Sequence, residues 1–221
     1  MTHPRRLTLA FVAVVLLLLG GSAAAALAAP GRATITRSCS TTFFAGDSRL
    51  GPAQLATVGP VAPILTGYDR FAGLTPDEFL ARYWDPAANG GRGGWRYPPD
   101  NGFLLDAVGR PIEHPAVLFA GERLDRFGSE FGGFLAPEDT PYADRALPPM
   151  SLDVFDPAYT CNYHLYRVVR RFSAEEGPIA PGFGQVGHGL QIQLDSALVP
   201  GAPSPLNVRW LIDTGFLQRA N

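Results

Sequence analysis

The sequence predicts an α+β fold, a single compact domain around a twisted antiparallel β-sheet with few short helices and long loops. Two observations favour this class. The 25 glycines and 21 prolines divide the 221 residues into short segments, which is typical of a loop-rich domain and not of a helical bundle. Between these breaks, short strand-like segments with few helices indicate antiparallel sheet.

The first residues have the features of an export signal. Two arginines precede an apolar run from residue 7 to residue 19, and small residues follow up to Ala29. Residues 1–28 are therefore predicted to be a signal peptide that is cleaved after Ala28. An uncleaved membrane anchor stays open, because the run has about the length that crosses a bilayer. In both cases the rest of the chain is predicted to be secreted or to face outward, with no other membrane contact.

The rest of the chain suits one domain, because about 190 residues are enough to bury a sizeable core. Residues 29–73 show little periodicity and are predicted to be an extension that wraps the core, while residues 74–221 form the domain itself. Removing Arg5 and Arg6 leaves 16 of the 18 basic residues against 20 acidic ones. The resulting net charge of about −4 favours no nucleic-acid partner.

All 18 of the basic side chains other than histidine are arginines, and lysine is absent. Schiff-base chemistry, a P-loop lysine and a Ser-Lys dyad are thereby excluded. Cys39 and Cys161 are predicted to form a disulfide in an oxidising compartment. Two buried free thiols remain the alternative. No metal site is predicted, since the cysteines and histidines lack the spacing of known ligand sets.

Local patterns place the elements in order. Thr75, Pro76 and Glu78 supply an N-cap, a first-turn proline and a capping-box glutamate, which predict a helix from Thr75. Residues 115–120 are predicted to form a short strand, and the alternation in residues 162–169 predicts a better one. A short helix opening at Ser204 and ending before Gly215, then a short strand, completes the prediction.

Four segments rich in glycine and proline carry polar side chains that loops can direct at a ligand. They are residues 95–103 (WRYPPDNGF), 124–128 (LDRFG), 145–149 (RALPP) and 179–187 (IAPGFGQVG). Together with residues 74–80, 131–137 and 163–168, and in this order, they resemble the tuberculosis necrotizing toxin family and, in type, its secreted fungal NADase members. The resemblance runs from about residue 74 to the C-terminus.

The resemblance implies an NAD glycohydrolase that cleaves NAD without a metal or another cofactor, and it leaves NADP open as a second substrate. It places functional positions on these residues: Arg126, Phe134, Arg145, His164 and Gln185. We take Gln185, Arg126 and Arg145 as candidate catalytic residues. Phe134 and His164, with Phe127, Phe183 and Tyr97 from the quoted segments, are candidates for substrate binding. The resemblance also raises a homodimer and an immunity protein as partners.

The residue chemistry suits this reaction independently of the resemblance. Nicotinamide leaves as a neutral base from a cationic pyridinium, so the reaction does not require the pair of carboxylates that glycosidases usually have. Arg126 and Arg145 offer fork-shaped donors that match phosphate oxygens. Phe134 offers a flat apolar surface for the ring, and Gln185 can orient a ribose hydroxyl or water without titrating. A broad pH optimum follows.

Several alternatives stay open. His164 can be a hydrogen-bonded core residue, and Asp125 and Glu130 can neutralise Arg126. ADP-ribose can pass to a protein or cyclise, although no glutamate stands in a sequence pattern of that kind. Gly182 and Val186 replace the Trp and Pro of the family's glutamine loop. A further hypothesis is therefore a surface binding protein that has the same scaffold but no catalytic activity.

Overall fold

Seven strands form one antiparallel sheet in the computed structural model, which describes residues 36–221. In spatial order β3-β7-β8-β5-β4-β6-β9, they are β3 (His114–Leu118), β7 (Phe172–Pro178), β8 (Leu190–Gln193), β5 (Phe134–Pro137), β4 (Arg123–Phe127), β6 (Tyr163–Val168) and β9 (Leu217–Arg219). The strands β1 (Trp84–Asp85) and β2 (Gly94–Trp95) pair separately. The predicted α+β class with a curled antiparallel sheet and few helices is confirmed.

Helices are short throughout the described residues, and none there is long and apolar enough to cross a membrane. The α-helices are α1 (Val61–Ile64), α2 (Pro76–Tyr83), α3 (Ala88–Gly91) and α4 (Val208–Asp213). Turns of 3-10 helix cover Phe44–Gly46, Ser48–Leu50, Asp100–Gly102, Ala143–Arg145, Pro149–Leu152, Thr160–Asn162 and Ser196–Leu198. The predicted signal peptide, residues 1–28, lies outside the described residues.

Local signals placed α2 and β6 correctly. The Thr75 hydroxyl accepts from the Glu78 N–H, and the Glu78 carboxylate accepts from the Thr75 N–H, so the capping box forms as predicted. Strand β6 lies within residues 162–169. Strand β3 begins and ends earlier than predicted. Helix α4 begins at Val208 and not at Ser204, because the Asn207 side chain caps it.

One predicted loop is a strand. Residues 124–128 were expected to form a glycine-bounded loop, but β4 takes Arg123–Phe127 into the middle of the sheet. Strand β4 pairs with β6 over its whole length and with β5 only through Leu124 and Asp125. Arg126 therefore lies where β4 and β5 separate.

Two apolar clusters pack on the sheet. One, with Leu124, Leu135 and Ile192, covers the face against α4. The other joins β4 and β6 to the N-terminal part of the chain. Residues 36–73 thus supply core side chains, among them the fully buried Val61 and Ile64.

The predicted disulfide is confirmed: Cys39 and Cys161 are bonded, with their Cα atoms 4.8 Å apart. Both cysteines are buried, and the Cys39 N–H points at the Cys161 sulfur. The bond closes a sequence separation of 122 residues and attaches the N-terminal segment to the turn that opens β6.

We expect the double substitution Cys39→Ala and Cys161→Ala to lower the free energy of unfolding by about 3 to 5 kcal/mol, because the unfolded chain regains the entropy of a long open loop. Alanine removes the crosslink without adding a buried hydroxyl, and the reduced wild type shows how much of the loss comes from the two buried sulfur atoms. Denaturant titration of the variant, beside the wild type with and without reductant, measures the effect. A loss below about 1 kcal/mol would show that the bond constrains the unfolded chain little.

A buried carboxyl group lies next to the same cluster. Asp153 is 1% exposed, and both of its oxygens lack a hydrogen-bond partner in the described part of the chain. Burial raises the pKa of Asp153 to about 7, and the charge of Arg70 opposes this rise. The Tyr68 hydroxyl is likewise buried without a partner among residues 36–221.

We expect Asp153 to make stability fall as pH rises from about 4 to about 7. In that window the folded chain keeps a proton that the unfolded chain has released, and above it the fold carries a buried charge. Asp153→Asn should remove a dependence on the order of 2 to 4 kcal/mol in unfolding free energy across these pH values. Denaturant titrations at several pH values give the unfolding free energy of both proteins. If this free energy changed with pH in the same way in both, the raised pKa of Asp153 would be contradicted.

Candidate active site

A cavity of about 590 Å³ opens on the sheet at the ends of β4, β5 and β8. Loops complete its wall at residues 97–102, 145–151 and 179–180. Its volume is in the range of small-molecule sites. Of the eight candidate catalytic and binding residues, five line it: Arg126, Arg145, Phe134, Phe127 and Tyr97.

Arg126 presents a cation to this cavity without a carboxylate partner. Its Nε donates to the Ser129 carbonyl at 2.7 Å, and its Nη1 donates to the Phe134 carbonyl at 2.7 Å. No Asp or Glu within residues 36–221 forms an ion pair with it. Burial lowers the pKa of Arg126, but an arginine stays charged. These two bonds fix the guanidinium, and Nη2 forms no hydrogen bond within the described residues.

Gly132 leaves the space that this guanidinium occupies. A Cβ atom on Gly132 would stand 1.9 Å from Arg126 Nη2 and 2.4 Å from its Cζ. Because two backbone carbonyls hold the guanidinium, it has little freedom to move aside. A side chain at residue 132 is thus incompatible with Arg126 in this position.

The two carboxylates that could have neutralised Arg126 pair elsewhere. Asp125 forms a buried ion pair with Arg145, through Nη1 to Oδ1 at 2.5 Å and Nη2 to Oδ2 at 2.8 Å. Glu130 pairs with Arg219 and accepts from the Tyr166 hydroxyl. Burial acts to raise the pKa of Glu130, but the Arg219 hydrogen bond and charge bring it below its usual value.

Arg145 also lines the cavity, but unlike Arg126 it is paired with a carboxylate. It lies in the 3-10 turn Ala143–Arg145, its Nε donates to the Thr140 carbonyl, and its guanidinium stands over the Phe127 ring. Asp125 balances its charge. The wall therefore contains two guanidinium groups, that of Arg145, which Asp125 neutralises, and that of Arg126, which no carboxylate within residues 36–221 neutralises.

Two aromatic side chains stand at the cavity mouth. Phe134 is 38% exposed and Tyr97 is 57% exposed, although both border the cavity. Desolvation at the cavity wall raises the pKa of Tyr97, and the charge of Arg126 opposes the rise. Because both rings are partly exposed, an aromatic ligand can stack on either of them in the cavity that Arg126 also lines.

Gln185 is not among the cavity-lining residues. It is 7% exposed, and its Nε2 donates to the Asp69 carbonyl at 2.7 Å and to the Phe183 carbonyl at 3.4 Å. Its turn pairs Gly182 with Gln185. A Cβ on Gly182 would lie 3.1 Å from Pro98 and 3.6 Å from Ala146. The turn therefore backs a wall to which Pro98 and Ala146 belong.

His164 and Phe183 also lie outside the lining. His164 is buried next to Arg126 across the strand pair, and its ring packs on Tyr159. Burial lowers the pKa of His164, and Glu130 opposes this. Phe183 is buried against Trp95 and Tyr97 and supports the Tyr97 ring from behind.

The comparisons with known proteins match this chain to one family. A family model described as tuberculosis necrotizing toxin matches residues 117–220. The conidial surface nicotinamide adenine dinucleotide glycohydrolase nadA of Aspergillus fumigatus is 44% identical over 178 residues, which cover 80% of this chain and 71% of that protein. The chain belongs to the tuberculosis necrotizing toxin family.

Two solved structures are also similar. The tuberculosis necrotizing toxin complexed with its immunity factor aligns with a TM-score of 0.49 and 24% identity, over 66% of this chain and 71% of that one. Rhs1-CT in complex with its cognate immunity protein aligns with a TM-score of 0.32 and 18% identity, over 51% and 80% of the two chains.

The family match includes Arg126, Arg145 and Gln185 but begins after Tyr97. Two polar side chains that line the cavity, Gln191 and Ser151, are not among the candidates from the sequence, and Asp125 is considered there only as a partner of Arg126. Gln191 stands in an alternating Leu-Gln-Ile-Gln run, a pattern that predicts an outward polar face. Only the register of β8 against β5 shows that this face borders a cavity.

Proposed function

We propose that this chain hydrolyses the N-glycosidic bond of NAD between nicotinamide and ribose. The observation that carries the proposal is the Arg126 guanidinium, which has no carboxylate partner among the described residues and stands in a cavity between aromatic side chains. Such a site suits a ligand that is both anionic and aromatic. The 44% identical relative is named an NAD glycohydrolase, which favours a dinucleotide.

The proposed binding mode assigns each part of NAD to a side chain. The diphosphate meets Arg126, which offers planar donors to its oxygens. Arg145 adds donors from the wall, and Asp125 holds its orientation. The nicotinamide ring packs on Phe134, and Tyr97 supplies a second exposed ring at the cavity.

The proposed chemistry needs little proton transfer. The C1′–N bond breaks, its electron pair passes to the pyridinium nitrogen, and nicotinamide leaves neutral. Water then adds to the oxocarbenium-like ribose and releases one proton to solvent. The enzyme has to hold the two reactants in place and stabilise the charge that develops on ribose.

Gln185 is proposed to act next to the ribose. Its amide nitrogen already donates to two carbonyl oxygens. Its Oε1 is therefore the side-chain atom that can accept from a ribose hydroxyl or from the attacking water. Its turn backs the cavity wall at Pro98 and Ala146, and we propose that this turn shifts when the dinucleotide binds, so that Oε1 meets the ligand. We also propose that the chain works outside the cell, as its disulfide and the surface location of the relative support.

Incubation of the purified protein with NAD, followed by chromatography of the products, tests this function. Nicotinamide and free ADP-ribose are expected in equal amounts, and a parallel incubation with NADP measures its use as a second substrate. A cyclic product or ADP-ribosylated protein as the main outcome would replace hydrolysis by transfer or cyclisation. NAD binding without nicotinamide release would leave a binding protein.

A further inference from the structure

Gln191 is the buried neutral amide that borders the cavity. It is 9% exposed, and its Nε2 donates to the Asn101 carbonyl at 3.0 Å. The Asn101 backbone is in the left-handed region, with φ at 55°, as is Asp100 before it. The turn is therefore held in a conformation that non-glycine residues seldom take, and it points its carbonyl at Gln191.

This contact fixes the side chain of Gln191. Because a carbonyl oxygen can only accept, the atom facing Asn101 must be the amide nitrogen. The Gln191 Oε1 atom receives no hydrogen bond from the described residues and is not sealed from solvent. The cavity thus contains an oriented acceptor that does not titrate.

The sheet register places this acceptor close to Phe134. In the β5–β8 pair Phe134 stands opposite Gln193, and Leu135 stands opposite Ile192. Cross-strand neighbours share a face, so Phe134, Gln193 and Gln191 are on the same side. Gln191 is the diagonal neighbour of Phe134, at a separation of about 7 to 8 Å. A nicotinamide ring packed on Phe134 can extend its carboxamide over that distance.

We infer that Gln191 recognises the leaving group: its Oε1 accepts a hydrogen bond from the carboxamide N–H of nicotinamide. This inference rests on the proposed function and adds a specificity-determining residue to it. Gln191 selects the pyridine substituent, while Arg126 serves the diphosphate. One neutral hydrogen bond gives a discrimination of about threefold to tenfold.

The test compares NAD with 3-acetylpyridine adenine dinucleotide, in which a methyl group replaces the carboxamide nitrogen. Wild type should have the lower KM for NAD. The measured quantity is kcat/KM for NAD divided by kcat/KM for the acetylpyridine analogue. In Gln191→Leu and Gln191→Met this ratio should fall about threefold to tenfold, because kcat/KM falls for NAD alone. Taking this ratio within each variant cancels the different leaving-group chemistry of the two pyridines.

Gln193→Leu is the matched control, since Gln193 lies on the same strand and face but does not line the cavity. Its ratio should equal that of the wild type. Equal loss with both dinucleotides in the Gln191 variants, a ratio that falls in Gln193→Leu instead, or equal KM values in the wild type would each overturn the inference. A wild type that cleaves neither dinucleotide would contradict the proposed function itself.

Discussion

Arg126→Met is expected to lower kcat/KM for NAD about 100-fold to 1,000-fold, because one or two charged hydrogen bonds to the diphosphate are worth about 1.5 to 3 kcal/mol each. The folded protein should lose little stability. Methionine gives up the hydrogen bonds to Ser129 and Phe134, but it also removes a partly buried cation that no carboxylate balances. Steady-state kinetics and thermal unfolding of the same preparation measure both effects.

Two further variants separate the charge from its geometry. Arg126→Lys keeps the charge but not the planar fork, so its activity should lie between those of the wild type and Arg126→Met. Gly132→Ala keeps the arginine but places a Cβ 1.9 Å from its Nη2, so the guanidinium must move. A loss of about tenfold or more is expected there. Lower stability with full turnover in Arg126→Met would make Arg126 a structural residue.

Gln185→Ala is expected to lower kcat about 100-fold, comparable to the loss of one group that orients a reacting oxygen. Gln185→Glu should be similarly poor. A carboxylate at this position would face the Asp69 and Phe183 carbonyl oxygens, which now accept from the amide nitrogen. Single-turnover kinetics with NAD distinguish loss in the chemical step from loss in binding.

The pH profile gives the control for this assignment. Neither an amide nor a guanidinium titrates between pH 6 and 8, so kcat should stay level there in the wild type. A bell-shaped profile would point to an acid and a base, with His164 next to Arg126 as the first candidate. Turnover within about threefold of wild type in Gln185→Ala would leave Gln185 only as a link between Asp69 and Phe183.

Elements with a strong local signal could be predicted from the sequence. The capping residues of α2 are consecutive in the chain, and the alternation of β6 is continuous. Strand β4 was missed because a short Arg-Leu-Asp-Arg-Phe run, followed by glycine, resembles a loop. Its identity as a strand depends on pairing with β6, about forty residues away.

The candidate site was only partly predictable, since spacing cannot show which charges pair. Asp125 is adjacent to Arg126 in sequence but binds Arg145, because successive strand residues point to opposite faces. Gln185 directs its amide nitrogen at Asp69, a contact across 116 residues that no local pattern encodes. Gln191 likewise needed the β5–β8 register before it could be placed at the cavity.

A crystal structure of Gln185→Ala with NAD, in which slow turnover preserves the substrate, tests most directly whether this cavity binds the dinucleotide. We expect the dinucleotide in the cavity, with diphosphate oxygens about 3 Å from the Arg126 guanidinium and the nicotinamide ring on Phe134. A dinucleotide bound outside this cavity, or one with its diphosphate directed away from Arg126, would contradict this binding mode.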